Sequence, residues 1–204
     1  RCNAAAIGER LYGVARTLQS FAYVFIGTGL GAGLVLEGHL FRGFTGNAGE
    51  AGHMIVVPGG RPCYCGNRGC LERYVSLNAA YETLGIVGEE NQNPQTLIDM
   101  GAGLAPWLDT AMGPMRQAIN VFESLLDLET IVLGGTVPAS ILQQLVDRLA
   151  PLPATIRSAK HTGPRFLVST AGEDTAVLGA AAMPIFAEFN PQYDALLKSA
   201  SAQY

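Results

Sequence analysis

The residues with the most distinctive chemistry are His53, Cys63, Cys65 and Cys70. Three thiolates and one imidazole form the donor set of a closed tetrahedral zinc site. Disulfides between cysteines this close in sequence would be strained, and the glycines among them allow a short loop to fold around one ion. The spacing therefore predicts bound zinc, with three buried free thiols as the alternative. Four protein ligands leave no position for water, so the predicted zinc is structural.

Two carboxylates flank this cluster. Glu50 precedes His53 by three residues, and Glu72 follows Cys70 by two. A metal that joins His53 to Cys70 would bring both carboxylates together, where they can accept hydrogen bonds from sugar hydroxyls. We therefore predict a polyol site at Glu50, His53 and Glu72, with Asn47 as a further candidate. The alternatives are a helix-capping role for Glu72 and a solvated loop position for Glu50.

Two glycine-rich turns offer backbone N–H groups to an anion or a nucleotide. The first is Gly27-Thr28-Gly29-Leu30-Gly31-Ala32-Gly33, and the second is Leu133-Gly134-Gly135-Thr136. The first turn is not a dinucleotide-binding fingerprint, because a strand follows it rather than a helix. Either turn alone can also be purely structural. The candidate nucleotide-binding residues are Gly27, Thr28, Gly29, Gly31, Gly134 and Gly135.

Hydrophobic periodicity places these motifs between alternating strands and helices, which predicts an α/β fold. Strands are predicted at residues 21–26, 34–36, 130–133 and 165–169. Helices are predicted at residues 4–16, 71–84, 96–127, 139–149 and 174–189. A joint is predicted at Gly113-Pro114, since proline favours the start of a helix.

The composition bounds the class of protein. The chain has 204 residues, 49% of them hydrophobic, and a net charge of −4. Its length suffices for an ample core, and the acidic balance argues against an extended nucleic-acid surface. No apolar run reaches the roughly 18 residues of a membrane span, and the first residues do not form a signal peptide. We therefore expect a cytoplasmic protein without a membrane partner.

Taken together, these motifs resemble the ROK family of repressors, open reading frames and sugar kinases. The resemblance rests on the first glycine turn and on two further motifs, Gly49-Glu50-Ala51-Gly52-His53-Met54 and Cys63-Tyr64-Cys65-Gly66-Asn67-Arg68-Gly69-Cys70-Leu71-Glu72. It implies a lobe of the actin-like ATPase (ribonuclease H-like) fold, with an inserted zinc loop at residues 46–72 and a helical insertion at about residues 74–127. It also implies zinc on the four ligands above, a sugar on Glu50, His53 and Glu72, and ATP on the glycine turns.

The chain departs from the family kinases at their catalytic motif, Asn-Asp-x-Asn-Ala-Ala-Ala, in which the aspartate is the general base. Aligning Asn3-Ala4-Ala5-Ala6 with this motif puts Arg1 at the aspartate position. No catalytic residue is therefore predicted. The resemblance makes residues 1–204 the C-terminal lobe of a ROK-type protein, with the N-terminal lobe and any DNA-binding domain outside this sequence.

Two functions follow from the resemblance. The first is the sugar-binding effector domain of a transcriptional regulator, favoured by Arg1, by the Arg61-Pro62-Cys63-Tyr64-Cys65 style of loop and by the tail at residues 184–198. The second is an ATP- and Mg²⁺-dependent sugar kinase, glucokinase-like or acting on an N-acetylhexosamine or mannose derivative, favoured by the intact glycine turn. A sugar-binding module with neither activity is a third reading.

The expected ligand is a monosaccharide or amino sugar, and DNA would be bound only through an upstream domain. We also expect a homodimer, with Phe122, Leu125 and Leu126 as residues that could face the partner.

Overall fold

A mixed five-stranded sheet organises the chain. The structure, a computed structural model, describes residues 1–155, 163–172 and 175–189. Within that part the strand order is β3-β2-β1-β4-β5. The strands are β1 Phe21–Ile26, β2 Leu30–Leu36, β3 His39–Phe41, β4 Thr130–Gly135 and β5 Phe166–Val168. β1, β2 and β3 pair antiparallel, whereas β1, β4 and β5 pair parallel. The predicted α/β class is confirmed.

Seven helices accompany the sheet in the described residues. They are α1 Cys2–Tyr12, α2 Glu72–Val75, α3 Leu77–Leu84, α4 Pro94–Met100, α5 Ala105–Leu126, α6 Ala139–Arg148 and α7 Thr175–Phe189. β1 shows how they cover both faces of the sheet: Phe21 and Tyr23 pack in a cluster with α1, while Ala22, Val24 and Ile26 belong to the larger cluster with α5 and α6. A strand buried on both faces is apolar throughout, which is why the run Phe21–Ile26 was predictable.

The β1–β2 connection is tighter than the glycine spacing predicts. Ile26 pairs with Leu30, so only residues 27–29 form the turn and Gly31 lies inside β2. The prediction of a loop over residues 27–33 is therefore wrong in its second half. The glycines of β2 serve close packing instead: a Cβ on Gly33 would lie 2.6 Å from the carbonyl oxygen of Cys2, and one on Gly31 would lie 2.8 Å from its Sγ.

Gly8 and Gly179 let helices α1 and α7 approach each other at backbone distance. A Cβ on Gly8 would collide with the carbonyl oxygen of Thr175, and one on Gly179 with that of Ala4. This contact explains why α1 tolerates an internal glycine, which costs helix stability when it is exposed.

The helical region between the first two parallel strands differs from its prediction in two places. The helix predicted at residues 71–84 is broken at Ser76, which is extended. The joint predicted at Gly113-Pro114 is wrong, because α5 runs through Pro114 and the break lies at Gly101, with φ of 51°. The buried face of α5 continues on both sides of Pro114, and its burial outweighs the lost backbone hydrogen bond.

One residue of the predicted dimer surface lies in the core. Phe122 is buried among the apolar residues of α5, so it cannot face a partner. Leu125 is 76% exposed, and Leu126 is only partly buried. Most of the tail at residues 184–198 lies outside the described residues. Among the helices that are described, none is long and apolar enough to cross a bilayer.

Candidate functional site

The loop of residues 46–72, hereafter the Cys/His loop, has almost no apolar core of its own. Its path is fixed by isolated bridges, Ile55 with Cys70 and Pro62 with Arg68, and by short backbone hydrogen bonds. The Val56 N–H donates to the Gly69 carbonyl at 3.0 Å, and the Leu71 N–H donates to the Met54 carbonyl at 2.9 Å. The hydrogen bonds fold the loop back on itself, so that residues distant in sequence meet.

The four predicted metal ligands meet at one point. The ligand atoms of His53, Cys63, Cys65 and Cys70 all lie within 4.8 Å of one another. The Cys65 and Cys70 sulfurs are 3.6 Å apart, and Cys63 Sγ is 3.6 Å from His53 Nδ1. Ligands at about 2.3 Å from a tetrahedral zinc ion stand about 3.8 Å apart. The residues therefore fit a tetrahedral metal ion in both chemistry and spacing.

The thiols of this cluster titrate very differently. Burial raises the pKa of Cys63, and burial together with the neighbouring sulfurs raises that of Cys70 to about 12. A backbone hydrogen bond from Asn67 is the largest cause that lowers the pKa of Cys65, to about 7. Packing three thiolates together is unfavourable unless a cation offsets their charge, and a coordinated metal ion would supply that positive charge.

His53 and Glu72 lie side by side at the edge of the cluster. Glu72 is only 6% exposed, and its Oε1 is 3.7 Å from His53 Nδ1. The Cys63 thiol donates to the same oxygen at 3.2 Å. Glu72 is the first residue of α2 and so lies where the helix dipole favours an acid, but no side chain caps α2 by a hydrogen bond. The Glu72 carboxylate therefore contacts the cluster in addition to its place in the first turn.

Glu50 and Asn47 are more exposed than His53 and Glu72. Glu50 is exposed just before the turn Ala51–His53, and its carbonyl accepts from the His53 N–H at 3.1 Å. Burial is the main cause that raises the pKa of Cys2, and the negative charge of Glu50 adds to this shift. Glu50 is therefore close enough to Cys2, in the first turn of α1, for its charge to act on that thiol. Asn47 is exposed, and its amide donates to Thr45 Oγ1 at 3.3 Å.

A cavity of about 230 Å³ lies beside Glu72. It is lined by Thr28, Gly29, Tyr64, Glu72, Arg73, Ser76 and Asn78. The break between α2 and α3 forms one wall, because the Leu77 N–H donates to the Gly27 carbonyl at 2.8 Å and docks the break on the β1–β2 turn. A Cβ on Gly29 would lie 3.3 Å from Glu72 Oε2, so the glycine turn directly adjoins the carboxylate.

The two glycine turns meet at one edge of the sheet. β1 and β4 are parallel with Ile26 opposite Gly135, so their carboxyl ends lie together. A Cβ on Gly27 would lie 3.1 Å from Thr136 Oγ1, and the Thr136 N–H donates to the Ile26 carbonyl at 3.0 Å. Gly134 packs against the hydroxyl of Tyr23 and leaves no space for a side chain. Five of the six predicted nucleotide residues therefore share this edge, and Gly31 lies farther along β2.

Four residues that line the cavity were not predicted from the sequence: Tyr64, Arg73, Ser76 and Asn78. Tyr64 could have been predicted as a site residue, because it lies between the candidate ligands Cys63 and Cys65. The Arg73 guanidinium contacts Glu82 at 2.6 Å, and its Nε has no hydrogen-bond partner among the described residues. Ser76 and Asn78 enter the wall only because α2 ends after Val75, which the helical pattern did not predict.

Comparison with known proteins gives one consistent family. The sequence profile of the ROK family matches residues 2–185. The chain is 45% identical over 176 residues to the xylose repressor of Bacillus subtilis, covering 76% of this chain and 45% of the repressor. The same shares, 76% and 45%, hold for the xylose repressor of Bacillus spizizenii, so this chain spans less than half of these relatives.

Solved structures of both functional classes share the fold. A ROK family transcriptional regulator, a homolog of the E. coli MLC protein, aligns with a TM-score of 0.68 and 25% identity, over 89% of this chain and 50% of the regulator. A ROK family glucokinase from Streptomyces griseus, in complex with glucose and AMPPNP, aligns with a TM-score of 0.64 and 25% identity, over 89% of this chain and 65% of the kinase.

Proposed function

Because the chain belongs to the ROK family, we propose that it is the sugar-binding effector domain of a transcriptional regulator of carbohydrate metabolism. The observation that carries the proposal is the position of Glu72. Its carboxylate is buried next to His53 and lines a cavity of about 230 Å³, a volume suited to a monosaccharide, together with the polar side chains of Thr28, Ser76 and Asn78. The 45% identity to a xylose repressor favours a regulator over an enzyme.

In this proposal Glu50, His53 and Glu72 bind the sugar, with Asn47 as a further contact. A carboxylate accepts from two adjacent hydroxyls, and an imidazole N–H donates to a third oxygen, which is how a site distinguishes epimers. The sugar acts on the regulator by binding one conformation better than another, since a ligand shifts an equilibrium only through differential affinity.

We propose zinc as the metal of the Cys/His loop, held by His53, Cys63, Cys65 and Cys70. When bound, it supplies a fixed cross-link and a positive charge that keeps the thiols ionised. An ionised Cys63 has no proton to donate to Glu72, so the carboxylate keeps its acceptor capacity for sugar hydroxyls. Sugar affinity is thereby linked to metal content.

We further propose that residues 1–204 are the C-terminal lobe of an actin-like, ribonuclease H-like fold. The strand order β3-β2-β1-β4-β5, with a mixed sheet and helices on both faces, supports this assignment. An N-terminal lobe and a DNA-binding domain would precede it in the cytoplasmic, homodimeric regulator, with Leu125 and Leu126 available to a partner. Reading the codons upstream of Arg1 tests this: a helix-turn-helix pattern supports the regulator.

A second candidate function is an ATP- and Mg²⁺-dependent sugar kinase, phosphorylating glucose or an N-acetylhexosamine or mannose derivative. The observation that favours it is the meeting of both glycine turns at one sheet edge, next to Glu72. Nucleotide phosphates on backbone N–H groups there would stand close to a bound sugar. An upstream lobe that carries an aspartate at the position of Arg1 would favour this candidate.

Calorimetry on the product of the complete reading frame separates the two. For a regulator, one sugar among xylose, glucose and N-acetylmannosamine binds, releases the protein from DNA of its own promoter region, and is not phosphorylated with Mg²⁺ATP. Formation of a sugar phosphate from the same mixture would establish the kinase instead.

The Glu72→Gln variant tests the site itself. It removes the charge but keeps the shape, so we expect sugar affinity to fall by roughly tenfold to a hundredfold, as for loss of hydrogen bonds to a charged group. The exposed Glu89→Gln is the matched control and should bind like the parent protein. Unchanged affinity in Glu72→Gln would remove Glu72 from the site.

A further inference from the structure

The two nitrogens of His53 have different surroundings. Nδ1 faces the metal cluster, at 3.6 Å from Cys63 Sγ and 3.7 Å from Glu72 Oε1. Nε2 lies across the ring and is 3.0 Å from the Tyr64 hydroxyl. With Nδ1 coordinated to a metal, Nε2 carries the proton and is the donor that remains for a ligand. In this structure that donor is already occupied by Tyr64.

Among the residues that the structure describes, His53 provides both the hydrogen bond and the ring contact of the Tyr64 side chain. The residue is 83% exposed, and its ring meets the imidazole edge-on, with centroids 5.1 Å apart and an interplanar angle of 84°. It also lines the cavity together with Glu72 and Gly29. The phenol therefore stands between the imidazole and the cavity, held by one hydrogen bond and one ring contact.

We propose that Tyr64 is a specificity-determining residue of the sugar site, whose hydroxyl occupies His53 Nε2 until a sugar hydroxyl replaces it. The inference rests on the proposed sugar-binding function and adds a residue to it. Only a ligand with a hydroxyl positioned for Nε2 recovers the hydrogen bond that is lost when Tyr64 leaves. A ligand without that hydroxyl leaves either Tyr64 in place or the donor unfilled.

Competition between the Tyr64 hydroxyl and a sugar hydroxyl for His53 Nε2 changes the sugar affinity in a direction that can be measured. A hydrogen bond in such an exposed position contributes modestly, because water replaces it when it breaks. The binding-competent form is then only part of the population, and the apparent affinity is reduced by that fraction. Removing the competing hydroxyl must therefore tighten sugar binding, whereas removing an ordinary ligand contact would weaken it.

The experiment compares the parent protein with Tyr64→Phe and the control Tyr12→Phe, each as the product of the complete reading frame. Tyr12 is also exposed, at the end of α1. Calorimetry is carried out with the best-binding monosaccharide and with its monodeoxy analogues. We expect Tyr64→Phe to bind the sugar about threefold to tenfold more tightly, from the range of one exposed hydrogen bond. One deoxy analogue, lacking the hydroxyl that reaches Nε2, should bind the parent and Tyr64→Phe equally.

Three results would overturn the proposal. Equal or weaker sugar binding by Tyr64→Phe, while the parent protein binds, would overturn it and leave the proposed function standing. Loss of metal from Tyr64→Phe, measured by elemental analysis, would make Tyr64 a residue that holds His53 for the cluster instead. Failure of the parent protein to bind any sugar would remove the proposed function together with this inference.

Discussion

The sheet and the Cys/His loop are stabilised in different ways. In the sheet, every residue of β1 except Phe25 is buried, and helices pack on both faces. In the Cys/His loop, the buried positions are Ala51, Gly52, Cys63, Gly69, Cys70, Leu71 and Glu72, so hardly any large apolar side chain is among them. Burial of apolar surface therefore stabilises the sheet, whereas the loop packs only a few apolar side chains on the core and depends more on backbone hydrogen bonds and on the metal that we propose.

The difference between the sheet and the Cys/His loop shows how the candidate site is built. The rigid sheet edge contributes backbone, at the β1–β2 turn, while the loop contributes the side chains that can recognise a sugar. Glu72 and His53 both belong to the loop; His53 is one of the four candidate metal ligands, and Glu72 adjoins it. In the proposed function, sugar recognition would therefore be carried by the part of the molecule that the proposed metal holds together.

The largest expected effect comes from removing one metal ligand, in Cys70→Ser. Cys70 is fully buried and pairs with Ile55 across the loop. Structural zinc contributes on the order of 10 kcal/mol to the folding of small metal-dependent domains. We therefore expect zinc content, by elemental analysis, to fall from about one ion per chain to near zero. Amide exchange in the Cys/His loop should then rise steeply.

Amide exchange in the strands tests whether the sheet and the Cys/His loop are stabilised separately. Exchange in β1 and β4 should change little in Cys70→Ser, because their core does not include the loop ligands. Cys2→Ser is the matched control, since Cys2 is a free cysteine outside the cluster. Retention of zinc by Cys70→Ser would contradict the metal assignment, and equal loss of protection in β1 would contradict the division into two regions.

An intermediate effect is expected in the core from Arg165→Met. Arg165 makes a bidentate ion pair with Glu123 of α5, with its Nε 2.8 Å from Oε1. The Glu123 side chain is only 2% exposed, so Arg165→Met removes the bidentate partner of a buried carboxylate. Breaking a buried pair in this way costs about 3–5 kcal/mol, which denaturant unfolding can measure.

Two further variants test whether this cost arises from the burial of the Arg165–Glu123 pair. Arg148 pairs with Asp109 at 2.8 Å, but both side chains are exposed, so Arg148→Met should cost less than about 1 kcal/mol. The double variant Arg165→Met, Glu123→Leu also removes the buried carboxylate and should recover part of the lost free energy of unfolding. Zinc content should stay at the parent value in all three variants, and a loss of zinc would show that the regions are coupled.

The same division explains what the sequence could predict. β1 was predicted at its observed bounds, because a strand buried on both faces is an unbroken apolar run. The meeting of His53, Cys63, Cys65 and Cys70 could be predicted because these donor types are distinctive whatever the loop geometry. The predicted joint at Gly113-Pro114 was wrong, since proline propensity is local and the buried face of α5 is set by tertiary packing.

The cavity wall could not be predicted for a related reason. Ser76 ends α2 because the following residue docks on Gly27, a contact between segments far apart in sequence. Nothing in the local pattern of residues 71–84 encodes that contact, so Ser76 and Asn78 were assigned to a continuous helix. The same holds for Tyr64, whose role depends on which nitrogen of His53 it meets.

The smallest expected effect concerns the sheet at alkaline pH. Burial is the main cause that raises the pKa of Tyr23 to about 12 from its ordinary value of 10.0. As the pH rises above about 10, the tyrosine of the unfolded chain ionises while the folded one stays neutral, so stability falls up to about pH 12. Two pKa units correspond to about 2.7 kcal/mol. Denaturant unfolding from pH 9 to 12 should show a shallower loss for Tyr23→Phe than for the parent, and Tyr12→Phe should follow the parent. Equal slopes for Tyr23→Phe and the parent would mean that the hydroxyl under Gly134 is open to water, and the sheet would then share the solvent access of the loop.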